Sequence, residues 1–173
     1  MLPSSRNTNY TPGAPVKSAD LNDIQDAIIS GKRGSLVRHL SPHLAVQRTG
    51  AAITRGDDYI QFAAATATVF VPLTLTQGEK ITELSARVQD SGADSITMKL
   101  FKSDLTGAGT GVVTQIGATQ TSVGAAGLHE TLSLAGLAEV VGSTHFQYWV
   151  EFVKTGNTSG GFLTSVLLTT DVP

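Results

Sequence analysis

Four histidines are the first residues to weigh for chemistry: His39, His43, His129 and His145. His39 and His43 stand at i and i+4, the spacing that sets two metal ligands on one helix face. Pro42 works against that helix, because proline lacks an amide donor and restricts its predecessor. No Glu lies between the two to act as a base. His129 and His145 fall in strand-like contexts and read as surface or paired histidines. Asp90-Ser91-Gly92-Ala93-Asp94 could offer two carboxylates to Ca²⁺. Such an ion takes about six to eight oxygens, so a plain turn is the expected reading.

Gly107-Ala108-Gly109-Thr110-Gly111 has the glycines of a phosphate loop. A phosphate loop needs a helix N-terminus after it, whereas Val112 to Ile116 reads as a strand. Cysteine is absent, which excludes disulfides, thiolate zinc sites and a Cys nucleophile. Asn157-Thr158-Ser159 matches a glycosylation acceptor, and no Gly-x-Ser-x-Gly is present. No catalytic constellation emerges, so no enzyme, cofactor or metal site is expected.

The elements that would position any site change character along the chain. From residue 57 the apolar period is 2. Tyr59 to Phe62 and Thr68 to Val71 open this region. Leu84, Ala86 and Val88 then alternate with polar residues, as do Ile96, Met98 and Leu100. Val112 to Ile116 and Leu128 to Leu134 are weaker runs, and Phe162 to Thr170 closes the series. Phe146, Tyr148, Val150 and Phe152 form the best core row, which leaves Trp149 on the opposite face as an interface or ligand surface. Turn residues separate these runs. About eight strands without intervening helices predict an antiparallel β-sandwich or jelly roll over 57–173, with a closed barrel as the alternative.

Residues 1–17 hold Pro3, Pro12, Gly13 and Pro15 among Ser, Asn and Thr, and are read as an extended arm. Residues 18–30 are the one clear helix. Ser18 suits its N-cap, Asp20 and Asp23 suit its positive end, and Gly31 suits its exit. Leu21, Ile24 and Ile28 make one narrow apolar stripe. Thirteen residues are marginal as an isolated helix, so the stripe is expected to dock on another surface, with a trimeric seam favoured. A second short helix, capped by Ser41 with Pro42 in its first position and Gly50 at its end, would complete a helical assembly segment over 18–56.

The composition agrees with a β protein. Of the 173 residues, 40% are hydrophobic, 15% are charged and 18 are Gly; the charged share is well below the roughly 25% of a typical soluble domain. No run approaches the roughly 18 apolar residues of a membrane span, and Met1 to Gly13 lacks the apolar core of a secretory leader. Residues 1–55 carry seven Lys/Arg against three Asp, a net +4, while the remainder carries −6. A basic arm can serve nucleic acid. Here the basic residues are scattered and Tyr10 is their only aromatic neighbour, so nucleic acid is disfavoured.

The segment from Tyr10 through Ala19-Asp20-Leu21-Asn22-Asp23-Ile24-Gln25-Asp26-Ala27-Ile28 resembles the start of tailed-bacteriophage appendage proteins such as tail fibres, tail spikes and baseplate components. That resemblance implies a structural virion protein, located in the virion. It would assemble with other virion proteins as a homo-oligomer through its arm and helix and present the β domain outward, where a host surface glycan could be met. The alternatives are a carbohydrate-binding β-sandwich module and a capsid decoration protein.

Overall fold

The computed structural model describes residues 33–50, 53–104, 111–124, 127–142, 146–156 and 160–172. They form two antiparallel sheets packed face to face, the β-sandwich expected from the alternation. Strands β1 (Arg33–Leu40), β3 (Ile53–Arg55), β4 (Ile60–Phe62), β6 (Lys80–Gln89), β9 (His129–Leu134), β10 (Glu139–Val140) and β12 (Phe162–Val172) make the seven-stranded sheet. Strands β2 (Val46–Gly50), β5 (Ala67–Leu73), β7 (Ser95–Asp104), β8 (Val112–Thr121) and β11 (Phe146–Thr155) make the five-stranded sheet, in the order β2-β5-β11-β7-β8.

The core follows from the period of 2, which sends alternate side chains to opposite faces. From the five-stranded sheet, Val69, Val71, Met98, Leu100, Val150 and Phe152 point inward and are fully buried. They meet Ile60, Phe62, Ile81, Leu84, Val88, Leu163 and Leu168 of the facing sheet. Burying one such side chain contributes roughly 1.5–3 kcal/mol, so this layer holds the sandwich together. Tyr148 joins it at 5% exposure, as its place in the inward row requires.

The region 33–56 departs from the expected helical segment. β1 pairs with β12 from Arg33↔Val172 to Leu40↔Val166, β2 pairs with β5, and β3 pairs with β4. Ser41 does cap a helix and Pro42 does open it, but only a 3₁₀ turn forms, Pro42–Leu44. At Ala45 the backbone is already extended (φ −62°, ψ 129°), and Val46 to Gly50 goes into the ladder instead of a second helical turn. Strand pairing gives this segment a ladder of backbone hydrogen bonds to β5, whereas one helical turn leaves most of its backbone groups without an internal partner. The sandwich therefore reaches back to Arg33, and a boundary at residue 57 would strip β1 from β12 and β2 from β5. β1 escaped the sequence reading because Leu36 and Val37 are exposed, so no inward alternation marks it. Its anchorage is partly electrostatic: Arg38 donates to both carboxylate oxygens of the nearly buried Glu79, at 2.8 and 2.6 Å.

An ion pair lies inside the sandwich. Lys154 continues the inward row of β11, and its Nζ is 2.8 Å from Asp94 Oδ2. It also donates to the carbonyl of Ala65 at 3.2 Å. Asp94 in turn accepts from the Ser91 hydroxyl.

Candidate functional site

β11 runs between β5 and β7, so its outward residues sit at the middle of the outer face of the five-stranded sheet. Trp149 is opposite Pro72 on one side and Phe101 on the other. Directly opposed residues bring their Cβ atoms within about 4.5–5.5 Å. The Trp149 and Phe101 rings accordingly stack, with centroids 5.6 Å apart and planes 22° apart. One row along, Glu151 lies between Phe70 and Lys99. Arg48 Nη1 donates to Glu151 Oε2 at 2.8 Å. This pair is more than half exposed on the arginine side, so it adds little stability; its consequence is a guanidinium held at the rim of an aromatic surface.

Beside the stack lies a groove of about 500 Å³, lined by Arg48 from β2, Phe70, Pro72 and Leu73 from β5, and Phe146 to Trp149 from β11. Its end is held by a polar knot. Glu139 Oε1 accepts from Tyr148 OH at 3.1 Å and from Lys102 Nζ at 2.8 Å. The Lys102 ammonium also sits 5.6 Å from the centroid of the Phe146 ring, within cation–π range. Burial, followed by the hydrogen bond to the Glu139 carboxylate, pushes the Tyr148 phenol up to about 12. The phenol therefore stays a neutral donor at ordinary pH. A smaller cavity of about 230 Å³ shares Leu73, Phe146 and Tyr148 and extends to Leu75, Gln77 and Val141.

Of the candidate site residues singled out in the sequence, Trp149 is placed in this groove; Phe146 and Tyr148, expected in the core row, also line it. Leu21, Ile24 and Ile28 lie outside the described residues, as do residues 105–110, 145 and 157–159. His39 is exposed on β1 and His43 sits in the 3₁₀ turn, its Nε2 3.2 Å from the carbonyl oxygen of Asp57; no helix face joins them. The carboxylates of Asp90 and Asp94 turn to their own neighbours. Asp90 accepts from Ser122 Oγ at 2.5 Å and from the Gly92 amide at 3.1 Å, and Asp94 from Ser91 and Lys154. Among the described residues no three His, Cys, Asp or Glu side chains gather as a metal site. Phe70, Pro72, Phe101 and Arg48 were missed. Phe101 is outward by the same alternation that made Leu100 inward, but only strand register brings it beside Trp149.

Aromatic rings flanked by planar polar side chains in an open groove make a surface suited to sugars: ring faces meet C–H faces, and amide, guanidinium and carboxylate groups meet hydroxyls. No protein-family model matches the chain, and no curated protein matches it. Solved structures do. The xylan-binding module CBM15 superposes with a TM-score of 0.53 at 15% identity, over 79% of this chain and 97% of that one. The sandwich fold is shared with a carbohydrate-binding module. The CBM22-1 xylan-binding domain from Paenibacillus barcinonensis Xyn10C gives 0.49 at 12% identity, over 80% and 94% of the two chains. A family two carbohydrate esterase from Cellvibrio japonicus gives 0.46 at 13% identity, over 81% of this chain; the chain spans only 36% of that enzyme.

The expectation of a structural virion protein from a tailed bacteriophage is thereby corrected. It rested on about twenty residues before β1. The described body instead has a fold shared with a carbohydrate-binding module, and the groove beside Trp149 is lined by aromatic and polar residues.

Proposed function

We propose that this protein is a carbohydrate-binding module that holds a polysaccharide chain across the outer face of its five-stranded sheet. The observation that carries this is the Trp149–Phe101 stack beside a groove of about 500 Å³ rimmed by Arg48 and Gln147. Trp149 supplies the platform for one sugar ring, and Phe70 and Pro72 extend the apolar floor. Arg48 and Gln147 are the rim groups with donors to spare for ring hydroxyls. The arrangement would adsorb the chain. Shared fold with a xylan-binding module makes xylan the first probe.

The test is isothermal titration calorimetry with soluble xylan, galactan and mannan, on wild type and Trp149→Ala. Binding of at least one polysaccharide is expected. Loss of a central aromatic anchor costs about 2 kcal/mol or more, roughly 30-fold in affinity. If Trp149→Ala keeps a wild-type melt and binds as tightly as wild type, the groove is not the site.

A further inference from the structure

On the opposite side of the sandwich, the outer face of the seven-stranded sheet carries a second basin, of about 300 Å³. Strand register builds most of it. His129 of β9 is opposite Gln89 of β6, and Gln89 is opposite Phe162 of β12. These three outward residues form one transverse row about 10 Å long, two strand spacings. Thr164, also lining the basin, is pinned by its hydroxyl donating to the Arg87 carbonyl at 3.1 Å. This leaves the hydroxyl's lone pairs as acceptors.

The remaining wall comes from the turn between β3 and β4, which supplies Asp58 and Tyr59. That turn is fixed at several points. The Gly56 amide donates to the Tyr59 carbonyl at 3.0 Å, and Arg55 and Ile60 are paired across it. His43 Nε2 lies 3.2 Å from the Asp57 carbonyl oxygen. The Tyr59 ring lies directly on Gly56, so close that a Cβ there would be 2.4 Å from the ring. Its orientation is completed by Phe162, edge to face at 5.1 Å and 87°.

We propose that this basin is a second sugar-binding site, taking a single pyranose ring through its vicinal hydroxyls. Two fixed aromatic rings give the apolar wall. Asp58, Gln89 and His129 give planar acceptor and donor groups of the kind that grip adjacent hydroxyls in pairs. Because the row spans about two strand spacings, one sugar fits it and a long chain does not. The site is independent of the Trp149 groove and stands or falls without it. Together the two would let one module hold a polysaccharide on one face and a chain end or side-branch sugar on the other.

The test uses ¹⁵N-labelled full-length protein titrated with methyl β-D-xylopyranoside and, separately, methyl β-D-galactopyranoside, followed by two-dimensional NMR. Saturable shifts at the amides of Gly56, Gln89 and His129 and at the Gln89 side-chain amide are expected, in wild type and equally in Trp149→Ala. Gln89→Ala, an outward position on a paired strand, should weaken this binding about tenfold, the equivalent of one good hydrogen bond. Gly56→Ala should weaken it too, by displacing the Tyr59 ring. Absence of shifts at these amides with both glycosides would overturn the proposal, as would wild-type affinity in both variants.

Discussion

Lys154 and Asp94 face each other 2.8 Å apart with neither side chain exposed to solvent. Two strands are tied by this contact, since Lys154 is on β11 and Asp94 leads into β7. Burying two charges is expensive, and their attraction offsets that cost only when both are present. Removing one partner strands the other. Lys154→Ala should therefore lose about 3–5 kcal/mol, and Asp94→Ala a similar amount. The double variant should lose less than the two losses added, because neither charge is then left alone. Urea unfolding of all four proteins measures the coupling; additive losses would show that the pair contributes nothing as a pair.

Gly156 follows from the same contact. A Cβ built there would lie 1.6 Å from Asp94 Oδ1, nearer than two non-bonded atoms can come. Gly156→Ala must push Asp94 off Lys154 and should destabilise as much as losing the pair, about 3–5 kcal/mol. In an Asp94→Ala background the same substitution should cost much less, a difference readable from melting curves.

At acid pH, Arg38 and Glu79 come into play. The Arg38 guanidinium holds the Glu79 carboxyl below its ordinary 4.5. A lowered folded-state value adds stability that is complete above the unfolded value and lost as pH falls through the folded one. Wild type should thus weaken as pH drops below about 4.5. Arg38→Ala should be less stable at pH 7, by roughly 1–3 kcal/mol for a nearly buried carboxylate that loses its cation and keeps only its Thr76 hydrogen bonds, and should have a flatter acid limb. Chemical denaturation across that range decides it; parallel acid limbs would remove Glu79 as the cause.

Tyr148 sets the alkaline side. Its phenol is raised to about 12, first by burial and then by Glu139. A raised folded-state value gives stability that is present below the unfolded value and lost as pH rises through the folded one. Ultraviolet titration should show a tyrosine ionising near pH 12, with unfolding close behind. In Tyr148→Phe that late step should vanish.

The alternation along 146–152 was enough to orient β11 and to assign Tyr148, Val150 and Phe152 to the interior. It also put Trp149 outside, which is why one residue of the groove could be named in advance. Lys154 belongs to the same row, but a charged side chain adds nothing to an apolar alternation, and its partner Asp94 lies sixty residues earlier in the chain. Phe101, Pro72 and Arg48 carry no local mark of a site, because their meeting with Trp149 depends on the register of three strands. β1 and β2 were missed for a related reason. Ser41 and Pro42 gave a sound local helix start, and strand pairing with β12 and β5, invisible along the sequence, took the rest of the segment.

Register along the β1–β12 ladder has a mechanical consequence. Arg33 is opposite Val172, so the first and last strands of the sandwich have their outer ends at one corner. Polypeptide continuing from either end would pull on the same rung, and tension between them would open the ladder like a zipper, breaking its hydrogen bonds one after another instead of all at once. A load carried through the sheets crosswise would meet many bonds in shear. Held between two tethers, this sandwich should give way first at β1, at low force, while the groove on the far sheet keeps its shape.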